Sequence, residues 1–298
     1  MINIWRVLVR TGDQVLTRRM PVVAGMFYSS SKGSLEKEIE AAFLHELGPG
    51  KLPQHREAER APPALIAPHA GYMYSGPIAA HSYIQLDGRR KPETVIILGP
   101  NHYGIGTPVS IYPEGSWVTP LGEVEIDRDL AFELAESSDV FSLDELSHQR
   151  EHSIEVQVPF LQYVLGEVKI VPICMLDQSL GAAVKVGEAL AKVLERHENV
   201  TLVASSDFTH YEPHEEALRK DEIALDRIRE LDVNGLYEVI GKYDISMCGY
   251  GAVAAVLHAC KKLGAKKAEV LKHATSGDVT GDYGSVVGYA AVKVEFRA

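Results

Sequence analysis

Ala64-Leu65-Ile66-Ala67-Pro68-His69-Ala70-Gly71-Tyr72 and Thr94-Val95-Ile96-Ile97-Leu98-Gly99-Pro100-Asn101-His102 follow one plan. Each begins as a short apolar run and breaks, at Pro68 or at Gly99-Pro100, into a segment that carries a histidine. A short unbroken apolar run bounded by turn residues reads as a strand buried on both faces, the kind found in parallel sheets. A third run, Val200 to Ala204, passes into Ser205-Ser206-Asp207-Phe208-Thr209-His210. In open α/β sheets, ligands bind just beyond the carboxyl ends of the strands. Three histidine-bearing segments at such ends therefore predict a shared crevice. The spacing of 33 from His69 to His102 suits one strand–helix–strand unit.

Outward from these runs the pattern alternates. Helical spacing runs from about Ser34 to Leu47 (Leu35, Ile39, Ala42, Phe43) and stops at Gly48-Pro49-Gly50. Lys51 to Pro63 is rich in proline and charge and has no period, so it reads as a loop. Further helices are predicted at about Gly76–Tyr83, Leu180–Arg196, His214–Glu230, Val233–Lys242 and Gly249–Leu263. Further strands are predicted at Val168–Ile173, Glu269–His273 and Ser285–Phe296. Strands spaced by helices give an α/β fold, a single domain with a mostly parallel sheet flanked by helices.

Composition narrows the function classes. The 298 residues can bury a full core, and 46% hydrophobic with 24% charged residues excludes wholesale disorder. The formal charge of -11 and the lack of a long Lys/Arg cluster argue against nucleic acid as a partner. No apolar stretch reaches the roughly 18–20 residues of a membrane span, so no membrane partner is expected. Three cysteines, none in a C-x-x-C pair, point to neither a disulfide framework nor a Cys-rich zinc site, and the setting expected is cytoplasmic. Residues 1–19 read as an N-terminal extension with Met20 as an alternative start, leaving 20–298 as the α/β domain; an ordinary N-terminal strand is the other reading of that segment.

The candidate site residues follow. Neutral imidazoles at His69, His102 and His210 suit zinc, iron, copper or nickel, or a proton relay. Asp207, three residues before His210, can orient that ring, or it caps a turn in Ser205-Ser206-Asp207. Cys248 precedes Gly249-Tyr250-Gly251 and an Ala/Val-rich helix, and a helix dipole there would favour thiolate. Cys174 and Cys260 read as small buried hydrophobes. Glu151-His152-Ser153-Ile154-Glu155 carries helix N-terminal signals, which would put His152 and Glu155 on one helical face as site residues or as caps. H-E-x-x-H, Walker A and G-x-S-x-G motifs are absent.

Read together and in order, Val23-Ala24-Gly25-Met26-Phe27-Tyr28, Ala67–Tyr72, Leu98–His102, Glu151–Glu155, Ser205–His210, Met247-Cys248-Gly249 and Val286-Val287-Gly288-Tyr289-Ala290 resemble the motifs of the Memo family. The likeness runs from about Pro21 to the C-terminus. It implies a fold similar to class III extradiol non-haem-iron dioxygenases, whose two-His, one-carboxylate iron site would here have a cysteine in place of the carboxylate. By that resemblance the metal ligands are His69, His102 and Cys248, the metal is iron or copper, and His210 and Asp207 are further pocket residues, His210 moving protons. A sulfur ligand changes the preferred metal and is itself oxidisable, so ring cleavage does not transfer with the fold. The resemblance also implies a small-molecule or peptide ligand, and radical-SAM and AMMECR-domain proteins as pathway partners. Three functions are compatible with it: a redox-active metal protein, a ligand-binding module using the same cleft, and a metal-dependent hydrolase.

Overall fold

The computed structural model describes residues 6–11, 14–56 and 58–297. Its strands are β1 (Arg6–Thr11), β2 (Gln14–Arg19), β3 (Ala64–Ala67), β4 (Thr94–Pro100), β5 (Val109–Ile111), β6 (Ser116–Thr119), β7 (Gly122–Glu125), β8 (Ser142–Leu143), β9 (Lys169–Met175), β10 (Val200–Ser205), β11 (His210–Glu212), β12 (Ala268–Thr275) and β13 (Val286–Val294). Its helices are α1 (Lys32–Leu44), α2 (Tyr72–Tyr83), α3 (Arg128–Ser137), α4 (Val158–Leu165), α5 (Leu180–Leu194), α6 (His214–Arg229), α7 (Val233–Tyr243), α8 (Tyr250–Lys262) and α9 (Ser276–Thr280).

The main sheet has nine strands in the order β11-β13-β3-β10-β4-β9-β5-β8, with β12 paired to β13. Its centre, β3-β10-β4-β9, is parallel, and antiparallel strands flank it on both sides. Every residue of β3, β4 and β10 is buried, which is why these strands read as unbroken apolar runs rather than alternating ones. Their side chains divide between two cores. Ile66, Ile96, Leu98, Leu202 and Ala204 pack against α5 and α8, while Leu65, Val95, Ile97 and Val203 pack against α1, α2 and α4. The expected α/β architecture with helices on both faces is what the chain forms.

The neighbour relations differ from the simplest expectation. β3 and β4 are not adjacent; β10 lies between them. The crossover through α2 therefore skips a position, and the end of β10 is inserted between the two histidine segments. A second, four-stranded sheet, β1-β2-β6-β7, is a separate ladder that packs on the main one, with Trp117 and Val124 in the same core as Val95 and Ile97. Within it Arg18 and Arg19 pair with Ser116 and Trp117. The segment from Glu151 to Ile154 is not helical; helical structure starts with a single 3-10 turn at Glu155–Gln157 and continues as α4. The backbone N–H groups of His152 and Ser153 are both held by Glu151 Oε1, which closes a tight loop there instead. Among the described residues, no helix is long and apolar enough to cross a membrane.

Candidate metal centre

The carboxyl ends of β3, β4 and β10 converge as the strand-end rule expects. His69 follows β3, His102 follows β4, and His152 reaches the same point from the loop that Glu151 closes. One ring nitrogen or equivalent donor from each of these three lies within 4.8 Å of the others. Their ring centroids are 5.3 Å (His69–His102), 5.6 Å (His69–His152) and 4.7 Å (His102–His152) apart.

Hydrogen bonds fix how these rings are turned. Tyr83 Oη donates to Gln157 Oε1, so Gln157 Nε2 faces the Pro68 carbonyl and Ser205 Oγ and donates to both. Ser205 Oγ in turn donates its single hydrogen to the Ser153 carbonyl at 2.7 Å. With that hydrogen committed, the 2.8 Å contact between His69 Nδ1 and Ser205 Oγ requires Nδ1 to carry the proton. His69 Nε2 is then a bare lone pair. His102 Nδ1 donates to Glu151 Oε1 at 2.9 Å, and the His102 backbone N–H donates to Oε2 of the same carboxylate. His152 Nδ1 lies 3.5 Å from Glu151 Oε1. His69 and His102 thus each have Nδ1 tied down and Nε2 left over, while His152 is held beside Glu151 by proximity and charge. Metal-binding histidines characteristically show this arrangement, one nitrogen oriented by a carboxylate or hydroxyl and the other free for the ion.

Electrostatics favours neutral donors at two of the three positions. Burial holds His69 well below its ordinary imidazole value, and burial also lowers His152. Burial opposes a charge on His102 too, but the hydrogen bond and the charge of Glu151 outweigh it and raise that ring. Glu151 shows the other half of the exchange. Burial favours its neutral form, yet His102 holds the carboxyl well below the usual carboxylate range.

Cys248 touches this group from one side. Its Sγ is 3.2 Å from His69 Nε2 and accepts the Asp207 backbone N–H, also at 3.2 Å. Cys248 is outside the tight trio; the third member of that trio is His152. The thiol also differs from the helix-dipole expectation. Burial, reinforced by the Asp207 carboxylate, pushes it up rather than down. Asp207 Oδ1 accepts the His69 backbone N–H at 2.8 Å, and Oδ2 lies 4.0 Å from His69 Nε2. Burial lifts the Asp207 carboxyl to about 6 despite that N–H. His210 stands farther out. Its Nδ1 donates to the Ser246 carbonyl at 2.8 Å, so its Nε2 is also uncommitted. His69, His102, His152, Asp207, His210 and Cys248 all line one cavity of about 870 Å³. Cys174 and Cys260 are buried in β9 and α8, as small hydrophobes should be.

Sequence reasoning missed the residues that hold the site. Glu151 orients His102, while Ser205 and Gln157 set the tautomer of His69. Glu151 stands beside His152, and Ser205 ends a recognised strand, so position was a signal for both. Gln157 carries none. Glu155 does not face the cavity. It accepts the backbone N–H groups of Val22 and Val23, the Tyr28 hydroxyl and the Arg19 guanidinium.

The fold and site together define a class: an α/β protein with a histidine cluster at the carboxyl edge of a parallel sheet, chemically suited to a transition-metal ion. Comparison with known proteins narrows the class to one family. Residues 19–293 match the family model described as Memo-like protein, and the chain belongs to the Memo family. A MEMO1 family protein of Methanopyrus kandleri is 51% identical over 276 residues, covering 92% of this chain and 98% of that one. Counterparts in Sulfurisphaera tokodaii (49% identical; 92% and 98% covered) and Methanocaldococcus jannaschii (50%; 93% and 99%) are similar. Among solved structures, an uncharacterized protein of Escherichia coli K12 has a related fold, with a TM-score of 0.52 at 15% identity, covering 78% of this chain and 99% of that one.

Proposed function

We propose that this protein binds an iron or copper ion through His69, His102 and His152, with Cys248 as a further donor, and that it is a redox-active metal protein. The observation that carries this reading is the trio of imidazole donors within 4.8 Å, with Nδ1 of His69 and of His102 each tied to an orienting oxygen. Imidazole suits both metals, and sulfur favours copper(I). A bound ion also removes the cost of the raised thiol, because a coordinating thiol is deprotonated outright. When bound, such an ion supplies electron transfer or Lewis acidity. The protein supplies the rest. Glu151 and Ser205 orient the rings, Asp207 fixes the His69 backbone, and His210 offers a free Nε2 to move a proton at the cavity wall. The small-molecule or peptide ligand, the radical-SAM and AMMECR-domain partners and the cytoplasmic setting belong to the same reading.

The decisive experiment is anaerobic reconstitution with Fe(II) or Cu(I), followed by measurement of retained metal. His102→Ala and His152→Ala should each lose most of it. Cys248→Ser should keep metal but lose any sulfur-to-metal charge-transfer band. Equal retention by wild type and His102→Ala would refute the metal reading. A second reading, a binding module that uses the cleft without metal, is favoured by the apolar residues Met26, Phe27, Tyr74 and Tyr211 along the cavity wall. Its mark would be ligand binding that persists through strict chelation.

A further inference from the structure

Cys248, His69 and Ser205 form a chain of contacts with a direction. The bare Nε2 of His69 is the nearest acceptor for the thiol hydrogen, at 3.2 Å against 3.6 Å for the Asp207 carbonyl. His69 Nδ1 donates to Ser205 Oγ, which Gln157 holds in turn, and Gln157 is held by Tyr83. A thiol within reach of an imidazole, itself oriented by a third group, is the geometric signature of a nucleophile with a positioned general base, which takes the proton as the sulfur attacks, so the buried thiol need not ionise beforehand. Cys248 and His69 both line the cavity, so an electrophile there can meet the sulfur. The wall nearby is apolar, with Phe27, Tyr74, Val287 and Tyr289, which suits the hydrocarbon part of an acyl group.

We propose that Cys248 and His69 form a nucleophile–base pair that accepts acyl groups from thioesters, an activity that needs no metal. The thiol proton passes to His69 Nε2 as Sγ attacks the carbonyl carbon. The carbon–sulfur bond to the leaving thiol breaks, and that thiol takes the proton back from Nε2. One carbon–sulfur bond forms for each one broken, so the exchange is nearly balanced in bond energy and needs no oxidant or co-reactant. Water then releases the acid, with His69 again accepting and returning a proton. Thioesters fit better than amides, because a thiol leaves with help from a single imidazole. The inference goes beyond the metal reading and excludes it in time: an ion on His69 Nε2 occupies the lone pair that the thiol requires.

The test uses the full chain, stripped of metal by chelator and exposed to S-phenyl thioacetate. Thiophenol release and intact mass are followed, with peptide mapping of the acetyl adduct. The adduct should form on Cys248, faster than on the free thiol N-acetylcysteine amide at the same pH. Cys248→Ser should abolish the thiol adduct, and His69→Asn should slow it about 100-fold, the scale of general-base assistance. Absence of an adduct, modification of Cys174 or Cys260 instead, or a Cys248 rate no faster than the free thiol would overturn the proposal. These wild-type readings decide the matter even where His69→Asn fails to fold. Metal retention, measured on the same preparation, separates the two readings. Acylation without metal binding sinks only the metal centre, and metal binding without acylation sinks only the thiol pair.

Discussion

The guanidinium of Arg19 donates to Glu155 Oε2 at 2.7 Å, with both side chains almost fully buried. The same guanidinium donates to the carbonyls of His148 and Glu151 and lies 4.1 Å over the Trp117 ring. Arg19 therefore ties the end of β2 to the loop that presents His152 and holds His102.

Removing one partner of a buried ion pair leaves the other charged and uncompensated, at a cost of about 3–5 kcal/mol. Arg19→Met should destabilise the protein by that order in denaturant unfolding, and Arg19→Lys by less. The segment before Met20 then matters for stability. A chain begun at Met20 lacks the Arg19 guanidinium and should show a similar loss. Equal unfolding midpoints for the full and the shortened chain would contradict this.

Glu151 Oε1 carries the orientation of His102. Glu151→Gln keeps the shape but weakens the hold, since an amide oxygen accepts a neutral hydrogen bond where a carboxylate accepted a charge-assisted one. Loss of an outer partner of a metal-binding histidine costs about 10–100-fold in affinity. Metal affinity, measured by competition with a chelator, should fall by that factor while the fold is retained. An unchanged affinity would mean that His102 is not a ligand.

The parts of this fold that were legible in the sequence are those where burial leaves a local mark. β3 and β10 stand out because every residue in them is apolar or small and buried, and α5 to α8 end within two residues of the expected positions. In the small sheet only the N-terminal part, β1 and β2, left a trace, as one of two readings of residues 1–19. β6 and β7 have four residues each, too few for alternation to rise above chance. β10 was recognised as a strand, but its position between β3 and β4 was not, because strand order is a tertiary choice. At the site, the histidines were legible and the side chains that set their tautomers were not. Ser205, Gln157 and Glu151 gain meaning only when segments far apart in sequence meet.

His148 gives a pH prediction. It is fully buried in van der Waals contact with Tyr112 and Trp117, and its Nε2 meets Ser110 Oγ at 3.2 Å. Ser110 Oγ donates to the Cys174 carbonyl, so Nε2 carries the imidazole proton and Nδ1 is bare, without a hydrogen-bond partner among the described residues. Protonating Nδ1 would bury a charge beside Arg19. Burial first, then that guanidinium, lowers His148 from 6.5 to about 3, against weaker upward pulls from Asp144, Ser110 and Glu151. Between those values the unfolded chain binds the proton and the folded one does not. Stability should therefore fall as the pH drops below 6.5, with a limiting slope of about 1.4 kcal/mol per pH unit from this group. Glu151, also lowered, adds to the same trend below 4.5. His148→Gln should flatten the dependence between pH 6 and 4 by about one proton. Unfolding curves of equal slope for the two proteins would show that His148 titrates normally.

Gly249 lets the start of α8 lie close against the end of β10, beside Cys248. It caps α8, and its N–H donates to Ser206 Oγ at 2.9 Å. A Cβ at this position would lie 2.3 Å from the Ser205 carbonyl oxygen and 2.7 Å from Ser206 Cβ. The first of these neighbours is backbone in a central strand, so it cannot swing aside. The start of α8 must move instead, and Cys248, held to Asp207 through its own N–H, moves with it. Gly249→Ala should cost about 1–3 kcal/mol, the usual penalty for overfilling a packed core. It should also lengthen the contact between Cys248 Sγ and His69 Nε2, changing the alkylation rate of Cys248 by iodoacetamide while Cys174 and Cys260 stay protected. A variant as stable as wild type, with Cys248 alkylated at the same rate, would show that the close approach of α8 to the end of β10 does not set this geometry.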